Sequence, residues 1–169
     1  MSKNTRFLTH AAVIAALYAV LTHLQNVLLP GSTTWAIQMR LSEALCVLSF
    51  FTPAAIPGLT VGCLVFNITY AAALPLDFLV GSLATLLAAG GMWLTRRVTV
   101  KGYPLVGMAM PALFNALLVG WELTVYIGSG FFLNALYVAL GELAVLLTFG
   151  TVLFYAVKKR HLDTKVFGA

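Results

Sequence analysis

The sequence predicts an all-α membrane protein, one domain over residues 1–169, folded as a six-helix transmembrane bundle with both termini cytoplasmic. Three observations carry this. Hydrophobic residues make up 61% of the chain and charged residues 9%, where a soluble domain has about 25% charged. At roughly 20 residues per helical crossing, 169 residues hold about six spans joined by short loops. Nine of the ten Lys and Arg residues fall in three clusters: Lys3 and Arg6; Arg96, Arg97 and Lys101; Lys158, Lys159, Arg160 and Lys165. Basic residues collect in cytoplasmic loops, so the clusters share a side and an even number of spans separates each from the next.

The elements follow in order. Lys3 and Arg6 before an apolar run imitate a signal peptide, but the run 7–29 is long for an h-region and no small-residue cleavage site ends it. It is read as a retained first span, stopped by Pro30-Gly31. A second, short segment covers 40–51 and stops at Thr52-Pro53, and a third opens at Pro57-Gly58 and reaches Leu74. The two prolines bracket a tight inner turn. Two crossings, one of them short or tilted, or a re-entrant hairpin would both satisfy the charge rule. Asp77 is placed to N-cap a fourth span, 77–96. Pro104 suits the first turn of a fifth, 104–127, kinked at Pro111. After the tight turn Gly128-Ser129-Gly130, the sixth runs 131–157 into the basic tail.

Several function classes are excluded. The net charge of +5 flanks apolar helices and is not interleaved with aromatics on a polar face, so it marks topology and not nucleic-acid binding. Cys46 and Cys63 lie in apolar segments, where free cysteine behaves as a small hydrophobe. No disulfide, metal centre or cofactor is expected. The chain lacks the G-x-x-x-x-G-K-[ST] phosphate loop and the H-E-x-x-H metal motif, so neither an ATPase nor an intramembrane metalloenzyme is expected.

The acidic residues point to a ligand. Four of the five, Glu43, Asp77, Glu122 and Glu142, lie inside or beside apolar segments, where carboxylates are costly and usually functional. Glu142 sits about 12 Å below the outer boundary at 1.5 Å per residue, too deep to snorkel. It has to be protonated, paired, or bonded to donors. Asn115, Glu122 and Tyr126 share one helical face, and Asn134, Gly141 and Glu142 another. Glu122, nearer the outer mouth, serves a ligand or the surface; Asp77 caps a helix or faces a pocket. Arg40, the only basic residue outside the clusters, either pairs with Glu43 three residues on or joins Gln38 at the outer mouth. Asn67, mid-span, needs a partner in a helix or a ligand. Trp35 and Trp121 belong to the outer aromatic belt or stack on a planar ligand. His23, Gln25 and Asn26 end the first span at headgroup level.

Ala11, Ala12, Ala15, Ala16 and Ala19 form two overlapping Ala-x-x-x-Ala stripes on the first span. Small residues at that spacing let another helix approach closely, within the chain or from a partner.

These segments resemble the substrate-binding S-components of energy-coupling factor transporters, and among them the QueT family of queuosine-precursor transporters. The resemblance rests on the alanine-rich first span, on Gln38-Met39-Arg40-Leu41-Ser42-Glu43-Ala44, on Gly58-Leu59-x-x-Gly62-Cys63 and Asn67, on the stretch 77–81, and on Pro111 to Asn115 with Gly120. It implies a subunit without enzyme activity in the plasma membrane that captures substrate from outside. It then joins a transmembrane coupling subunit and two ATPase subunits that drive its reorientation in the bilayer. Ala11, Ala15 and Ala19 would meet the coupling subunit, and the loop after the first span would gate the site. A queuosine precursor is a 7-deazaguanine, in some forms with an aminomethyl cation. Its N–H and exocyclic amine form a two-donor edge for a carboxylate; its carbonyl needs a donor such as Gln38, Asn67 or Asn115. Glu142 is the first choice for that edge and Glu122 or Asp77 for the cation, with Arg40, Trp35, Trp121, Tyr126 and Asn134 completing the expected site. The same fold with thiamine or riboflavin as ligand, and a stand-alone secondary transporter, are the other readings.

Overall fold

The computed structural model describes residues 2–33, 39–70 and 73–167. Every element in them is helical: α1 (Lys3–Leu28), a 3₁₀ helix (Leu41–Phe50), α2 (Ala55–Thr69), α3 (Asp77–Thr95), α4 (Leu105–Met108), α5 (Met110–Ile127), α6 (Phe131–Val145), a π-helical turn (Leu146–Gly150) and α7 (Thr151–Lys159), followed by a second π turn (Asp163–Phe167). Four stretches are long and apolar enough to cross a bilayer: Lys3–Leu28, Asp77–Thr95, Leu105–Ile127 and Phe131–Lys159. Their outward faces carry large apolar side chains, among them Val20, Leu94, Phe132 and Val152. Helices apolar all round need lipid or protein on every side.

The segment between α1 and α3 runs down and back. Thr22 Oγ1 donates to Ser42 Oγ at 2.7 Å and the Tyr18 hydroxyl to Glu43, while Leu48 shares a cleft with His10 and Ile14. The 3₁₀ helix is therefore antiparallel to α1. At 2.0 Å per residue its ten residues reach about 20 Å, where an α-helix would reach about 15 Å. This is how so short a segment joins Arg40, beside α3's first residue, to Phe50 and Phe51, which line a cleft with Arg96 and Lys158. The return helix α2 is parallel to α1. Added Cβ atoms at Gly58 and Gly62 would lie 2.7 Å from the Ala11 carbonyl oxygen and 2.8 Å from that of Ala15. Only glycine permits that approach.

The expected proline kink in the fifth span is a break at Ala109, with Pro111 in the first turn of α5. The left-handed Gly128 (φ 79°) ends α5, as glycine commonly does after a helix. The sixth span is continuous from Phe131 to Lys159 but bulges into one π turn. Gly120 lets α5 meet α6, an added Cβ falling 2.8 Å from Ala135 Cα.

The three basic clusters gather at one end. Lys3, Arg6 and Phe167 line one cleft there, Arg96 and Lys158 another, and Arg6 Nη2 donates to the Val166 carbonyl. The main apolar core, with Leu59, Met92, Met108 and Phe154, fills the space above this end. The polar interior lies beyond it, toward the other end.

Candidate functional site

Arg40 is the hub of that interior. It directly precedes the 3₁₀ helix and is 4% exposed. Its Nη2 pairs with Asp77 Oδ2 at 3.2 Å, its Nε donates to the Thr33 carbonyl at 3.1 Å, and its guanidinium lies 5.7 Å from the Phe66 ring centre. Asp77 also holds α2: Asn67 Nδ2 donates to the Asp77 carbonyl at 2.8 Å. Gly81 leaves room for this meeting, since an added Cβ would lie 2.8 Å from Asp77 Oδ1 and 2.9 Å from Asn67 Nδ2.

Glu43 lies one turn further in. One carboxyl oxygen accepts from the Tyr18 hydroxyl and the other from Cys46 Sγ at 3.1 Å. On the opposite wall, Asn115 Nδ2 of α5 donates to Glu142 Oε1 of α6 at 3.2 Å. Similar lengths of helix separate Asn115 from Gly128 and Glu142 from Gly130. With a rise of about 1.5 Å per residue, both side chains lie roughly 20 Å below the α5–α6 turn. Glu122, nearer that turn, lies about 9 Å below it. Glu142 is within electrostatic reach of Glu43 and Arg40, and Glu122 of Asp77 and Arg40. The two walls thus face one interior.

The unmatched atoms define what this interior accepts. Seven side-chain oxygens are buried without a hydrogen-bond partner among the described residues: Glu122 Oε1 and Oε2, Glu142 Oε2, Asp77 Oδ1, Asn67 Oδ1 and the hydroxyls of Ser49 and Ser82. Five of the seven are oxygens of carboxyl or amide groups. Leaving such a group unsatisfied costs about 1–3 kcal/mol, more when charged. Buried orphans of this kind call for an explanation such as a ligand, ion or water. What those five oxygens lack is donors.

Several expectations need correction. Arg40 does not pair with Glu43; its partner is Asp77, 37 residues away, and Tyr18 and Cys46 take Glu43 instead. Asp77 is not the N-cap of α3 but its first residue, with the carboxylate turned to Arg40. Glu122 is not at a solvated mouth but 0% exposed. Tyr126 is 41% exposed and does not share the burial of Asn115 and Glu122; Trp121, 50% exposed, lies on the outward surface, as its aromatic-belt alternative expects. Asn134 is buried beside Gly141 and Glu142 in the pattern, but its amide is spent on the Ser129 hydroxyl and carbonyl and on Thr124 Oγ1. Gln25 and Asn26, at the end of the first span, are buried and do not face outward. They tie the following loop to α1 through Ser32, the Met39 carbonyl, the Leu41 N–H and Thr33. Gln38 and Trp35 lie outside the described residues.

The alanine stripes diverge. Ala11 and Ala15 face α2 and Ala19 is buried, while Ala12 and Ala16 point outward. A cleft of about 270 Å³ runs along this seam between Ala12, Ala15, Gly58 and Val61. Sequence reasoning missed Tyr18, Thr22 and Ser42. A tyrosine and a threonine one turn apart inside an apolar span were the available signal.

A family model described as QueT transporter matches residues 8–159. No curated protein and no solved structure matches the chain. By that family match, which covers nearly the whole sequence, the chain belongs to the QueT transporter family.

Proposed function

We propose that this transport protein, a multi-pass membrane protein by its family and its four long apolar helices, is the S-component of an energy-coupling factor importer. It crosses the cell membrane six times, the 3₁₀ helix and α2 supplying the two short passes, and its basic end faces the cytoplasm. From outside it captures a queuosine precursor, a 7-deazaguanine such as the 7-aminomethyl form or queuine. The observation that carries this reading is the set of five buried oxygen acceptors without donors. A deazaguanine edge presents an N–H and an amine side by side, the complement of a carboxyl group. Glu142, steadied by Asn115 at 3.2 Å, receives that edge. Asn67 Oδ1 accepts from a further donor, and Arg40 neutralises Asp77 so that the charge of the mouth is not excessive.

ATP hydrolysis belongs to two partner ATPases, and the coupling subunit docks on the outward alanines Ala12 and Ala16 and the adjoining cleft. Thermal unfolding of purified protein with a ligand panel tests the assignment, because binding stabilises by RT ln(1 + [L]/Kd), about 2.7 kcal/mol at 100 Kd. A 7-deazaguanine is expected to raise the transition while thiamine and riboflavin do not. A shift with a vitamin alone would move the chain to another ligand class. Uptake that persists without the ATPases would make it a secondary transporter.

A further inference from the structure

The described interior holds four carboxyl groups, Glu43, Asp77, Glu122 and Glu142, and one guanidinium, Arg40, each 4% exposed or less. Arg40 pairs with Asp77 at 3.2 Å, and Glu43 has a donor at each oxygen. Glu122 has none, and Glu142 has only the Asn115 amide. Fully ionised, the cluster would keep three negative charges without a counter-ion inside an apolar bundle. An uncompensated buried charge costs several kcal/mol. Of the groups within reach of these two glutamates, Glu43 and Cys46 of the 3₁₀ helix lie toward Glu142 and Asp77 of α3 toward Glu122; only Arg40, just before the 3₁₀ helix, is a cation, and it is already paired with Asp77.

We propose that the unliganded site holds a proton on Glu122, and that loading exchanges a ligand cation for that proton. The inference rests on the substrate-pocket reading above and adds the charge of what the pocket takes. The exchange balances: a carboxylic acid and an ammonium ligand give a carboxylate–ammonium pair and one proton released to the outer solution. Glu122, with both oxygens free of donors, is the group that receives the ammonium. Asp77 is not, because its charge is already matched. A neutral ligand has no charge to offset an ionised glutamate, so it leaves the proton in place. Affinity for the cation therefore rises with pH until Glu122 of the empty site is itself ionised or the ligand's own amine loses its proton.

Calorimetry on the intact protein tests this. At one pH, 7-aminomethyl-7-deazaguanine (cationic) and 7-cyano-7-deazaguanine (neutral) are titrated in buffers of different ionisation enthalpy. The cation is expected to release about one proton per ligand bound and the neutral base none. In Glu122→Gln the cation-over-neutral affinity ratio is expected to fall about tenfold, with proton release reduced. Binding of the cation with buffer-independent heat in the unmodified protein overturns the exchange and leaves the pocket reading intact. Proton release undiminished in a folded Glu122→Gln also overturns it. No binding by either base sinks the pocket reading and the exchange together.

Discussion

Replacing Arg40 with methionine removes the only described cation from the buried interior and leaves Asp77, 4% exposed, with an unmatched charge. At the observed separation of 3.2 Å, Coulomb attraction at an effective dielectric constant near 20 is about 5 kcal/mol. Breaking a buried pair by removing one partner costs about 3–5 kcal/mol. The substitution also frees the Thr33 carbonyl, which accepts from Arg40 Nε. Arg40→Met is thus expected to lower the thermal transition in detergent sharply, and Arg40→Met with Asp77→Asn to recover most of the loss. The assay is a double-mutant cycle read by thermal unfolding. A single-variant loss under about 1 kcal/mol, or a double variant no better than the single, would refute the reasoning, since each would mean that Asp77 carries no buried charge needing Arg40.

Gly62→Leu is expected to separate α1 from α2, because an added Cβ already lies 2.7 Å from Tyr18 Cβ and 2.8 Å from the Ala15 carbonyl oxygen; overpacking of this kind costs about 1–3 kcal/mol in thermal unfolding. Asn134→Ala leaves the α5–α6 turn without its three side-chain hydrogen bonds. A stability loss of at least about 1 kcal/mol should accompany ligand affinity changed less than about threefold in equilibrium binding. Ala16→Leu, on the outward stripe, is expected to leave stability within about 0.5 kcal/mol and to abolish co-purification with the proposed coupling subunit.

Much of the fold was legible because it depends on local signals. Apolar length, the basic clusters, Pro111 near a helix break and Gly128 at a helix end are all read within one turn of the residue concerned. The depth count that set Glu142 too deep to snorkel left it needing donors, and one of its oxygens accepts from Asn115. Pairing between distant elements was not legible. Arg40 had a plausible partner three residues away, yet the extended 3₁₀ helix carries Glu43 toward Tyr18 and leaves Arg40 facing α3. Tyr126 obeys the helical wheel, lying close to a whole number of turns from Asn115. It sits in the last turn of α5, however, where few neighbours remain to cover the face. Ala11 and Ala12 differ by about 100° around the helix, so two stripes that overlap on paper face different neighbours. Which one met α2 depended on Gly58 and Gly62, far along the chain.

The central claim is that buried carboxyl oxygens without donors are acceptors for an incoming heterocycle. Affinity of a 7-deazaguanine for unmodified and Glu142→Gln protein, measured on folded samples in detergent, tests it most directly. Loss of one charge-assisted hydrogen bond, about 1.5–3 kcal/mol, predicts binding weakened about 10- to 100-fold. Equal affinity in the two proteins would contradict the account.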